Sequence, residues 1–379
     1  MYLARLGLSA VQNIFGSKNL NSEPENNAII DPHDISEALA LVRNCIELHG
    51  LPSGLETDHL RRSVIQCAVD LMQDLLDNDE PWEMVERDPT EPNKLQISQL
   101  LMQFAEQFQI FPESLFVTVT LSDRRIQRMG MNSEIYTGQW KGMKVAMRLL
   151  RSHTRMFDES DRGQTKVLLA CLRWRQLRHP NVVQLFGVDI TNIGHAPTLV
   201  HPWMEKGNIR DHIKNLTVKP EPECLVSWVC DVARGMDYLH GMGIVHGDLR
   251  GNNVLLSDDG DAIVTDVFLY PFLEDWTAPY RCKGGPERWL APEVLDNSDP
   301  SSSSDSFCFG LVCIEIYTGE IHFPDLLDAR AIDNMSQGRF PSKPNTMPDQ
   351  VWALASACWN SIPTQRPTMQ QVLTQLSGN

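Results

Sequence analysis

Three short segments in the second half of the chain hold the residue types and spacings best suited to chemistry. HGDLRGNNVLL occupies residues 246–256, VTDVF 264–268 and LAPE 290–293. Asp248 precedes Asn253 by five positions, and Asp266 follows thirteen residues later at the end of a short strand. One Asp can accept a hydroxyl proton while the Asn and the second Asp hold Mg²⁺ against phosphate oxygens, so this order is the spacing of a phosphoryl-transfer site. Neither HGD nor DVF alone carries that meaning. Their order does, closed by an APE triplet after an intervening segment.

Elements of two kinds must position these residues. From about residue 113 the pattern is short and alternating: LFVTVTL, EIYTGQW and KVAMRLL read as β-strands, the last two joined by a tight Lys141–Gly142 turn. A long helix follows at about 159–177, then the strand-like VVQLFGVDI and TLVHPWM, and beyond Gly207 helices dominate. In LVSWVCDVARGMDYLH, residues Leu225, Trp228, Val229, Val232, Met236 and Leu239 line one helical face. The serine run 298–305 reads as an exposed loop, and the DDGD segment at 258–261 as a β-turn. A small β-rich lobe thus precedes a larger helical one.

Before this part, apolar residues recur at helical spacing over 35–48, 56–76 and 97–108, separated by proline and glycine signals. They predict a small helical bundle over 31–112, an interaction module, after a tail or short helix at 1–30. The bundle's apolar stripes are its own core first and a partner surface second.

Composition narrows the function. Of 379 residues, 42% are hydrophobic and 22% charged, an ordinary globular balance. Lys plus Arg number 33 against 49 Asp plus Glu, a formal charge of −16 that nucleic-acid phosphates and anionic membranes would repel. No apolar run approaches the roughly 20 residues of a membrane-spanning helix. The nine cysteines form no CxxC pair and read as reduced thiols of a cytoplasmic protein. The expected partners are other proteins, with no nucleic acid and no membrane span.

RHPNVVQLFGV, PWMEKGNIRDHIKN, HGDLRGNNVLL, APEVL, SDSFCFGLVCIEIYTGE and CWNSIPTQRPTM together resemble the tyrosine-kinase-like group of protein kinases, fungal members in particular, over residues 115–379, about 70% of the chain. The resemblance implies an α+β, two-lobed protein-kinase fold over 113–379, with an N-lobe at 113–201, a hinge at 202–206 and a C-lobe at 207–379. It implies ATP and Mg²⁺ as cofactors, Asp248 as base, and Asn253 and Asp266 as metal ligands. Arg250 stands where a basic residue neutralises the transferred phosphate. Ile135, Ala146 and Leu255 match the apolar walls of the adenine site, and His201 the gatekeeper. Pro202 would offer its carbonyl and Met204 its N–H to the base. His246 would support Asp266, Asp305 would anchor the catalytic loop, and Glu293 and Arg366 would form a buried ion pair.

Other positions depart from the family pattern, and most of them converge on the phosphates. Arg148 replaces the lysine that grips the α- and β-phosphates, and Ala170 stands where its glutamate partner belongs. The three glycine-loop positions hold Arg128, Gly130 and Ser133, a cradle whose side chains hinder close approach. Asp266–Val267–Phe268 replaces Asp-Phe-Gly, and Gly247 replaces the Arg that docks a phosphorylated activation segment, so phosphorylation of Thr277 or Tyr280 loses its usual receiver. Without a glutamate, Arg148 is expected to turn to Asp266. The expectation is a protein-kinase-like signalling protein that binds ATP and Mg²⁺ weakly and acts mainly as an impaired scaffold; the alternative is an active Ser/Thr kinase with an atypical phosphate grip.

Overall fold

The computed structural model describes residues 58–77, 93–123, 125–129, 133–150, 161–193, 197–267 and 286–377. The first expected helix at 35–48, Gly130, Phe268, Thr277 and Tyr280 lie outside them. No described helix is long and apolar enough to cross a membrane. The chain divides into two compact units, one holding residues up to Val117 together with Gln164–Gln176, the other Thr118–Gly163 and Leu177–Asn379.

In the first unit, α1 spans Asp58–Asp77 and α2 Lys94–Phe108, joined by α3 (Asp161–Arg175) from Gln164 on. Helix α2 begins three residues earlier than its apolar periodicity suggests. Asn93 accepts from the Gln96 N–H while the Gln96 side chain accepts from the Asn93 N–H, a reciprocal capping box that satisfies two end groups. Helices α1 and α2 bury Ile65, Val69, Met72, Leu75, Ile97, Leu101 and Phe104. The unit also takes in α3. Arg175 Nη2 lies 2.6 Å from Asp77 Oδ2, and Gln176 Nε2 donates to the Oε1 of the fully buried Gln73 at 2.8 Å.

Of the alternating run 115–121, only Thr120–Leu121 forms a strand (β1), because Glu113–Leu115 closes as a 3-10 turn whose Glu113 N–H bonds Asp70 at 2.7 Å. In the second unit, β2 (Arg128–Met129), β3 (Ser133–Trp140), β4 (Met143–Leu150), β5 (Gly187–Asp189) and β6 (Thr198–Pro202) complete a six-stranded antiparallel sheet ordered β1-β3-β4-β6-β5, with β2 also on β3. Helices α4 (Ile209–Asn215), α5 (Pro222–Gly241) and α6 (Ser302–Thr318) follow, with the hairpin of β7 (Val254–Leu256) and β8 (Ala262–Val264) between α5 and α6. The six residues marked on the face of α5 are all buried. The serine run is not all loop: Ser301 caps α6 through Ser304, and Ser304, Asp305 and Ser306 are buried in its first turn. The mixed α+β architecture is a curled sheet lobe followed by a helical lobe.

Candidate active site

Side chains two apart on a strand share a face, so Ala146 and Arg148 of β4 point the same way. The register sets Ala146 opposite His201 and Arg148 opposite Ile135. One face of the sheet therefore carries Ile135, Ala146, Arg148 and His201. Ile135 and Leu255 are partly exposed and Ala146 is buried. His201 is buried, and burial pulls its pKa down, so the ring is neutral near pH 7. Its Nδ1–H donates to the Pro202 carbonyl at 2.9 Å and occupies one of the two lone pairs that carbonyl has to offer. The Met204 carbonyl accepts from Gly207 at 3.0 Å and closes the hinge turn.

The loop after α5 is stitched from several directions. Asp305 of α6 accepts from the His246 N–H at 2.8 Å, the Gly247 N–H at 2.9 Å and His240 Nε2 at 2.9 Å. Gly247 sits at φ 75, where a side chain costs about 1–2 kcal/mol, so glycine suits this backbone while removing the basic side chain. His246 Nε2 donates to the Thr265 carbonyl at 2.8 Å, and its Nδ1 accepts from the Asp248 N–H at 3.2 Å. The Thr265 N–H bonds the Asn253 carbonyl at 2.9 Å. These bonds bring Asp248, Asn253 and Asp266 together across a gap of eighteen residues.

Within this cluster Asp248 Oδ2 accepts from Asn253 Nδ2 at 2.9 Å and lies 3.1 Å from Arg250 Nη2. Its Oδ1 is buried with no hydrogen-bond partner among the described residues. A buried carboxylate with one oxygen fixed and the other unsatisfied fits a base awaiting a hydroxyl donor. Asp266 adopts φ 66, a left-handed conformation that Asp tolerates better than most residues. Arg148 Nη1 meets Asp266 Oδ1 at 2.5 Å, the contact expected from the missing glutamate. Val267 is fully buried.

Ala170 lies buried on α3, and Asp161 is the only carboxylate in that helix's sequence. Of the glycine-loop positions, Arg128 is exposed on β2 and Ser133 is buried at the start of β3. Arg366 donates to both Glu293 oxygens at 2.6 and 2.8 Å, a bidentate pair under the APE turn.

Sequence reasoning missed Glu315. This buried carboxylate of α6 accepts from the Gly251 N–H at 2.7 Å and Trp289 Nε1 at 3.0 Å, with Arg210 Nη1 at 3.3 Å; burial pushes its carboxyl upward. Arg250 in turn stacks over the Trp289 ring at 5.8 Å. A methyl on Gly251 would lie 3.1 Å from the Glu315 carboxyl, which would have to give by a few tenths of an ångström to admit it. The signal was present as one Glu inside the apolar run FCFGLVCIEIY, since a lone buried charge needs partners.

A family model described as protein tyrosine and serine/threonine kinase matches residues 123–376. The chain is 28% identical over 254 residues to the dual specificity protein kinase pyk3 of Dictyostelium discoideum, covering 66% of this chain and 18% of that protein. It is 29% identical over 248 residues to serine/threonine-protein kinase 12 of Arabidopsis thaliana, covering 63% of this chain and 52% of the relative. Against the serine/threonine/tyrosine-protein kinase HT1 of the same plant it is 28% identical over 255 residues, covering 65% and 63%. The chain spans less than two thirds of the length of each.

Proposed function

Since the chain belongs to the protein tyrosine and serine/threonine kinase family, we propose that it is a cytoplasmic, tyrosine-kinase-like member that binds ATP weakly and acts mainly as a catalytically impaired scaffold or regulator. Its partners are other proteins, engaged through the helices before residue 113 and through the kinase lobes.

The observation that carries this reading is the ion pair between Arg148 and Asp266. Asp266 and Asn253 offer the hard oxygens that Mg²⁺ takes, so the donor set fits the ion. Arg148 already neutralises that carboxylate, so metal binding must displace a charge-assisted contact. The guanidinium is also planar and broader than an ammonium, and turned to Asp266 it is drawn away from the phosphates. Kinase catalysis is alignment and charge stabilisation, and a misplacement of about 1 Å can cost on the order of 10²-fold. Loss of the lysine and loss of its orienting glutamate together remove about 10⁴-fold, roughly 5 kcal/mol.

The second reading, an active kinase with an atypical phosphate grip, draws on the intact Asp248 arrangement and its unsatisfied Oδ1. Thermal shift with ATP, with and without Mg²⁺, followed by autophosphorylation of the same sample, separates the two. The impaired reading expects micromolar to millimolar affinity, on the order of −4 to −8 kcal/mol, and negligible transfer. Ala146→Phe should fill the slot opposite His201 and abolish the shift, and a shift unchanged in that variant would place ATP elsewhere. Transfer at ordinary kinase rates that Asp248→Asn eliminates would establish the active reading.

A further inference from the structure

The residue that replaces the first glycine of the phosphate cradle reaches the opposite side of the cleft. Arg128 lies on β2, opposite Ile135 of β3, on the sheet that forms the roof. The floor carries Leu255 on β7 and is tied to the hinge exit, because the Leu256 N–H bonds the Gly207 carbonyl at 3.0 Å and Asn208 bridges to Leu255. The Arg128 guanidinium rests against this hinge exit: a methyl added to Gly207 would fall 2.2 Å from its Nη2 and 3.0 Å from its Cζ. Its Nη1 lies 3.5 Å from Asp211 Oδ2 on α4. That carboxylate is held ready, since the Asn208 side chain accepts from the Asp211 N–H at 2.9 Å and donates to Asp211 Oδ2 at 2.8 Å.

We propose that Arg128 and Asp211 form a clasp that holds the open edge of the cleft shut and slows passage of a nucleotide. The passage of nucleotide rests on the functional reading above; the clasp itself does not. Both side chains are nearly half exposed, so the pair is screened by salt and acts as a brake rather than a seal. The same substitution that spoils the phosphate cradle thereby supplies a roof-to-floor contact that glycine could not make.

The test compares the 379-residue chain with its Arg128→Gln, Asp211→Asn and double variants. Amide hydrogen exchange without nucleotide should rise about two- to fivefold over residues 125–129 and 133–137 in each single variant and no further in the double. The difference should vanish in 1 M NaCl. Unchanged exchange in the single variants, or additive increases in the double, would overturn the clasp. Stopped-flow dissociation of 2-aminopurine riboside triphosphate, a probe fluorescent in its base, should accelerate by the same factor. Equal dissociation rates alongside raised exchange would overturn the brake on nucleotide. No binding by any of the four proteins, alongside raised exchange, would refute the nucleotide reading and leave the clasp standing.

Discussion

Arg148 and Asp266 face each other at 2.5 Å with the carboxylate almost fully buried, and that contact governs what substitutions at either position will do. Removing one partner of a buried pair strands the other, at a cost of about 3–5 kcal/mol for full burial and less here because the Arg148 side chain keeps some exposure. Arg148→Gln should therefore lower the melting temperature of the unliganded protein while making ATP binding more responsive to Mg²⁺, both read in one thermal-shift series. Stability loss without any gain in Mg²⁺ response would mean that the arginine does not compete with the metal. Arg148→Lys alone should restore little phosphoryl transfer, whereas Arg148→Lys with Ala170→Glu should restore measurable transfer, because the family uses the two positions as a unit. Equal recovery by the single and the double variant would reject that coupling.

At the scale of elements, strands and helices with strong periodicity were legible: the six apolar residues of α5 are its buried face, and EIYTGQW and KVAMRLL pair as β3 and β4. The misreadings have local causes. The alternation in LFVTVTL shortens to a two-residue strand because Asp70 draws the Glu113 N–H into a turn, a contact 43 residues away in sequence. The serine run begins a buried helix because Ser301 and Ser304 satisfy its first amides, which composition cannot reveal. Nor could spacing predict that Arg175 and Gln176, just after the missing glutamate position, bond to Asp77 and Gln73 of α1. Arg175→Ala should loosen that helical unit by about 1 kcal/mol or more, since Arg175 is buried while Asp77 keeps enough exposure to be rehydrated. Faster hydrogen exchange across α1 is the check; unchanged protection there would show that the apolar core alone holds α3.

Across the whole molecule, the loop after α5, the segment through Asp266 and α6 form one hydrogen-bonded frame, readable from sequence at Asp248, Asn253, Asp266 and Asp305 but not at Glu315 or His240. Deeper in the same lobe, burial holds the His322 pKa at about 3, against an ordinary 6.5. The unfolded chain takes up this proton as pH falls through 6.5 while the folded one does not until about 3. Stability is therefore fully present above 6.5 and lost below it, at about 1.4 kcal/mol per pH unit once the unfolded histidine is charged. Urea unfolding of the wild type and His322→Gln between pH 7.5 and 4.5 should differ by that slope below pH 6, and a difference independent of pH would contradict the assignment.

The proposed impairment of the phosphate grip is tested most directly by calorimetric titration of ATP into the 379-residue chain with and without Mg²⁺, alongside Arg148→Gln. If Arg148 neutralises Asp266, Mg²⁺ should change the wild-type affinity less than about threefold and that of Arg148→Gln by about tenfold, some 1.4 kcal/mol. A wild-type affinity that rises tenfold or more with Mg²⁺, equal to the variant's, would contradict it.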